Sequence, residues 1–203
     1  MSKYRLRILN NENLNCSVSS CLKRRSGLSK YCRGHALRLN LYGSPLGTVL
    51  LKHTYKQELV EVKDFILRHS EHKAVKAAIT FFDRWLEDAY YGFPVLAKEQ
   101  FSKLFEHGIR GKDCIEVFLS IWLYSHRFYS KLPDDARLSY ALSIGIFSLK
   151  DKSKVKASVK KAVGERLRQA LGIFAGNVIT AIEREVVVQE ALRNDLFTPF
   201  KER

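Results

Sequence analysis

Four residues constrain this chain more than any others: Cys16, Cys21, Cys32 and His35, spaced Cys-x4-Cys-x10-Cys-x2-His. Two close pairs joined by a loop can converge on one tetrahedral metal ion, each pair supplying two corners. The spacing predicts one zinc ion held by these four ligands. A fully protein-ligated ion is expected to be structural, because activation of water needs a vacant coordination position. Residues 1–53 are otherwise polar, basic and punctuated by Gly27, Gly34, Gly43, Pro45 and Gly47. Burial alone barely offsets chain entropy in so small a piece, so the metal is expected to hold it together.

Charge divides the 203 residues unevenly. Residues 1–53 carry ten Lys/Arg and a single acid, Glu12, a net charge of +9. Residues 54–149 carry thirteen of each sign and are neutral, while residues 150–203 carry twelve bases and seven acids, with the excess concentrated between Lys150 and Arg168. Two basic patches flanking a neutral body are the electrostatic footprint of a nucleic-acid binder, since each Lys or Arg on a phosphate releases condensed counterions.

From Thr54 onward the apolar pattern is helical. Leu59, Val62, Phe65 and Ile66, then Val75, Ile79, Phe82, Leu86 and Tyr90 after the polar break at residues 70–72, read as two successive amphipathic helices, the second stopped by Gly92 and Pro94. A shorter helix is expected over residues 96–106, ended by Gly108. A central one opens near Asp113 and carries Ile115, Phe118, Leu119, Trp122 and Leu123. Pro133 follows it, and Asp134 is placed to cap a helix over residues 136–147. Val155, Val159, Val163, Leu167, Leu171, Phe174, Val178 and Ile182 sustain one stripe, which predicts a long last helix with Lys152, Lys156 and Lys160 in a row at its start. Gly172 and Gly176 either permit close packing within it or break it. The expected fold is therefore mainly α: a basic zinc-binding module over residues 1–53, then an all-helical domain over residues 54–203, with the basic segment 150–168 opening its long last helix.

The residues around the four ligands carry a resemblance. Cys16-x4-Cys21, Ser26-Gly27-Leu28, Tyr31-Cys32-x2-His35, Arg38 and Tyr42-Gly43-Ser44-Pro45 resemble the short zinc-binding motif of many phage and mobile-element proteins, with Ser44 where Asp is usual. The resemblance spans residues 16–47 and implies a DNA-associated role. Some proteins with similar modules are HNH-type nucleases, whose chemistry needs a further His-Asn-His arrangement. After His35 the next histidine is His53 and no such arrangement follows, so the chain is expected to bind rather than to catalyse.

Other chemistry-bearing residues have plainer readings. His69 and His72 end a helix and face solvent, and Asp83, Glu87 and Asp88 lie beside Arg84 on a solvated face. Cys114 is an inert thiol among apolar neighbours, Trp85 and Trp122 are core anchors, and Gly108–Gly111 lacks the Lys-Ser/Thr of a P-loop. No segment reaches the roughly 18–20 apolar residues that span a bilayer, and the first residues lack a signal-peptide core, which predicts a cytoplasmic or nucleoid-associated protein. In a reducing compartment, clustered cysteines point to metal rather than disulfide.

The expected function is zinc-dependent, non-enzymatic binding of duplex DNA, in preference to RNA, in transcription regulation, replication or recombination. The contacts expected are Lys23, Arg24, Arg25, Lys30, Arg33 and Arg38 on the module and Lys152, Lys156, Lys160 and Lys161 on the last helix, with Arg33 and Arg38 projecting from a helix after Cys32. The competing expectation is an adaptor or inhibitor that docks on a nucleic-acid enzyme with zinc purely structural. The long stripe also suits a homodimer.

Overall fold

Helices account for nearly all regular structure, as the 3.6-residue periodicity dictates. The computed structural model describes residues 2–48, 50–88, 95–128, 134–150 and 155–196, with the backbone alone for residues 88 and 189–196; Tyr90, Gly92, Pro94, Pro133 and Lys152 lie outside the described residues. Among the described residues there are eight α-helices: α1 (Lys3–Glu12), α2 (Arg33–Tyr42), α3 (Lys56–Arg68), α4 (Lys73–Asp88), α5 (Val95–Glu106), α6 (Gly111–Arg127), α7 (Asp135–Phe147) and α8 (Ala157–Leu196). They include no β-strand, only an isolated bridge between Asn15 and Arg24.

The predicted starts and stops have identifiable causes. Asp134 caps α7, its carboxylate accepting the Arg137 N–H at 2.8 Å, and the Asp113 carboxylate reaches back to the Arg110 N–H at 2.9 Å where α6 opens. Gly108 stops the chain after α5 with a φ of 81°, a left-handed value that favours glycine. The last helix runs unbroken through Gly172 and Gly176, and it starts at Ala157, so Lys156 precedes it and only Lys160 and Lys161 of the expected basic group lie within it.

One continuous core joins α3 to α8, and α6 is its centre. Ile115, Phe118, Leu119, Ile121 and Leu123 are fully buried there, each stabilising the fold by roughly 1.5–3 kcal/mol relative to exposure. Helices α3, α4 and α7 pack on α6, and α8 lies along α7 with Val159, Val163, Leu167 and Leu171 buried. Where α7 and α8 cross, a Cβ on Gly164 would overlap the Ser139 carbonyl, so only glycine permits that approach. Trp85 is buried, and Trp122 is half-buried with its indole against Gly172.

A polar tie closes the open end of the bundle. Arg127 of α6 binds Glu61 of α3 through both terminal nitrogens, at 2.9 and 2.7 Å, and Glu183 of α8 through Nε at 2.8 Å. The Glu61 hydrogen bonds lead in raising the Arg127 pKa, with Glu183 adding to them against the cost of burial. No helix among the described residues is long and apolar enough to cross a membrane.

Candidate metal centre and its basic face

The first 45 residues fold around a second, separate cluster in which only Cys16, Val18 and Cys32 are buried, with Cys21 and Tyr31 packed against them. The backbone sets the sulfurs. The Cys16 N–H donates to the Lys23 carbonyl at 2.9 Å, the Ser17 N–H to Lys30 at 3.0 Å and the Cys21 N–H to Val18 at 2.9 Å, a pair of tight loops that turn Cys16 and Cys21 toward Cys32. Cys32 sits at the N-cap of α2, and His35 follows one turn later on the inward side. This is the helix expected after Cys32.

The four donors converge. Every ligand atom lies within 4.8 Å of the others, with Cys21 and Cys32 sulfurs 3.9 Å apart and His35 Nδ1 at 3.3 Å from Cys16 and 3.4 Å from Cys32. A tetrahedral ion with bonds of about 2.3 Å to sulfur and about 2.0 Å to nitrogen has edges of about 3.8 and about 3.5 Å, so the donor set fits such an ion. Electrostatics agree. Burial pushes the Cys16 thiol up, but the backbone N–H groups of Val18 and Cys32 and the side chains of His35 and Cys21 outweigh it and leave it at about 6. Cys21 is opposed: the Lys23 backbone N–H lowers it, while burial and the Cys32 and Cys16 sulfurs push it up. Sulfurs and an imidazole crowded in this way could hold a metal ion between them.

Helix α1, which has no clear stripe in the sequence, locks the loop between the ligand pairs. Asn11 donates from Nδ2 to the carbonyls of Gly27 and Ser29 at 2.9 and 2.8 Å, and the Glu12 carboxylate accepts the Gly27 N–H at 3.0 Å. Gly27 has a φ of 57°, which explains its place in that loop. The single acid of residues 1–53 is thus turned inward. Gly43, φ 72°, closes α2, and a Cβ there would lie 2.6 Å from the Tyr140 ring, so glycine is needed both for the turn and for the contact with α7.

Nine of the ten expected nucleic-acid contacts lie among the described residues, and their surroundings differ. Arg24 donates to the Asn13 carbonyl, and Arg25 donates to the Asn15 carbonyl at 3.0 Å, Asn11 Oδ1 at 3.2 Å and Ser17 Oγ at 3.3 Å, so both guanidiniums brace the module. Lys23 and Lys30 are exposed, the latter 5.4 Å over the Tyr31 ring. On α2, Arg33, Gly34, Leu37, Arg38, Asn40 and Leu41 are exposed while His35, Ala36, Leu39 and Tyr42 are half-buried. At about 100° per residue, the exposed set spans an arc of about 160°, with Arg33 and Arg38 about 140° apart near its edges rather than side by side. In the distant group, Lys156 is exposed, Lys161 pairs with Glu165 at 3.8 Å, and Lys160 is half-buried against the bundle.

The remaining candidates are structural. Asp83 Oδ1 accepts the Gly111 N–H at 2.6 Å and ties α4 to the start of α6, while Glu87 is exposed. His69 pairs with Glu185 at 3.1 Å and packs on Phe65, and exposed His72 receives the Ala74 N–H. Cys114 is fully buried, and burial raises its thiol pKa far above the ordinary value. No family model matches the chain, and neither curated proteins nor solved structures give a match.

Proposed function

We propose that the chain is a zinc-dependent DNA-binding protein of the kind encoded by phages and mobile elements, in which the metal holds α2 as the groove-facing element. The observation that carries this reading is the exposed arc of α2. Arg33 and Arg38 flank it, Gly34 leaves room for close approach, and the only carboxylate of residues 1–53 is engaged inside the module. Arginines at opposite edges suit phosphates on the two walls of a major groove, leaving Leu37 and Leu41, with Gly34 between the arginines, nearest the base edges. Lys23, Lys30 and Lys156 are free to add backbone contacts, whereas Arg24 and Arg25 act by keeping the module folded. Zinc fits three thiolates and one imidazole, and with all four corners filled it serves structure rather than chemistry.

The test is a titration of the zinc-loaded protein against random duplex DNA at several salt concentrations. Replacing Arg33 and Arg38 together with Gln is expected to reduce the slope of log K against log salt by about 1.8, from about 0.9 per lost phosphate contact. An unchanged slope would remove α2 from the interface. A second reading, an adaptor that docks on a nucleic-acid enzyme, rests on the large apolar side chains that the module leaves in solvent, Leu22, Leu28, Leu37 and Leu46. Under it, Leu22→Ser with Leu46→Ser abolishes capture of a stoichiometric protein partner and leaves DNA affinity unchanged.

A further inference from the structure

Lys160 lines a cavity of about 500 Å³ where the chain leaving α2 crosses the bundle. Leu50, Val117 and Ile144 supply apolar wall, and Tyr42 and Tyr55 add their rings. The cavity also takes in Lys52, and none of its lining residues is acidic. Among the described residues neither lysine has a carboxylate within ion-pair distance, and burial lowers the Lys160 pKa. A half-buried ammonium beside an apolar wall, with no carboxylate among the described lining residues, is an arrangement that an anion can complete. The volume falls within the range of small-molecule sites, which combine an apolar lining with a few placed polar groups.

We infer that this cavity binds an amphipathic organic anion, its apolar body against Leu50, Val117 and Ile144 and its carboxylate on the Lys160 ammonium. Lys52 offers a second charge at the same site. Such a ligand would bridge the segment after α2 to α6, α7 and α8, because the lining comes from all of them. The inference does not rest on the proposed DNA binding, although Leu41 of the exposed α2 arc also lines the cavity.

The experiment is calorimetric titration of the full zinc-loaded chain with octanoate, with 1-naphthoate and with octan-1-ol. Saturable one-to-one binding of either carboxylate is expected, and comparison of the two separates a chain-like from a ring-like body. The alcohol is expected to bind at least tenfold more weakly. Lys160→Met is expected to weaken carboxylate binding at least tenfold, Lys160→Arg to retain most of it, and Ser148→Trp at the exposed rim to block it. Absence of saturable binding by both carboxylates, or equal affinity in Lys160→Met and the unaltered chain with both folded by circular dichroism, would overturn the inference.

Discussion

Around the four metal donors, Cys16, Val18 and Cys32 are the only buried apolar residues, whereas α6 alone buries Ile115, Val117, Phe118, Leu119, Ile121 and Leu123. The two regions are held by different physics. In the bundle, apolar area removed from water outweighs chain entropy, and it does so whatever ions are present. In the module, a handful of hydrogen bonds to loop carbonyls surrounds three crowded sulfurs, and on the proposed reading its order is conditional on metal. On the proposed reading, a basic module that folds when loaded is carried by a bundle that folds regardless of metal.

The sharpest way to separate the two is Cys32→Ser. Bound metal is expected to drop from one ion per chain to none by elemental analysis, with loss of about 10 kcal/mol or more of apparent binding free energy, while the helical circular dichroism of the bundle persists. Phe118→Ala probes the opposite side: thermal unfolding of the bundle is expected to lose about 3–5 kcal/mol with metal stoichiometry unchanged. A parallel fall in metal affinity would show that the regions are one cooperative unit. Arg127→Met leaves partly exposed Glu61 and Glu183, and buried Glu58 at 3.8 Å, without their shared partner, and a loss of about 3 kcal/mol is expected by chemical denaturation.

Smaller effects refine the picture of the module. Asn11→Ala strips the Gly27 and Ser29 carbonyls of their donor and is expected to weaken the module by about 1–2 kcal/mol, read as roughly tenfold lower metal affinity in a competition titration with a chromophoric chelator. The smallest effect belongs to the bundle surface. Burial pushes the Glu185 carboxyl up, but Arg68 and His69 outweigh it and hold it below the ordinary carboxylate value. A carboxyl lowered in the folded chain adds stability that is fully present above the ordinary pKa of about 4 and is lost as pH falls through the lowered value. Glu185→Gln is therefore expected to cost under about 1 kcal/mol at neutral pH, with the difference vanishing in acid, as pH-dependent denaturation would report.

The elements of the bundle were legible because their signals are periodic. Leu59 to Ile66, Val75 to Leu86 and Val159 to Ile182 recur at helical spacing, and Asp134 announces α7 by side-chain chemistry alone. The clustering of Cys16, Cys21, Cys32 and His35 was equally visible, since Cys-x2-His at a helix start is a local pattern. Helix α1 was not, because its value lies in two polar residues, Asn11 and Glu12, whose partners are sixteen and fifteen positions away at Gly27. Arg24 and Arg25 read as free charges for the same reason: sequence records a guanidinium but not the carbonyls of Asn13 and Asn15 that engage it. Arg127 carries no signal in a neutral stretch, although its partners run from Glu58 and Glu61 to Glu183. Long-range polar partners carry no period.

Hydrogen exchange of the full chain, before and after removal of metal by a strong chelator, tests the conditional order of the module most directly. Amides of residues 14–42 are expected to lose protection on chelation, among them Cys16, Ser17 and Arg25, whose N–H groups donate to Lys23, Lys30 and Leu14. Amides of α6 are expected to keep theirs. Unchanged protection of the module without metal would contradict the role assigned to Cys16, Cys21, Cys32 and His35, and simultaneous loss in α6 would contradict the independence of the two regions.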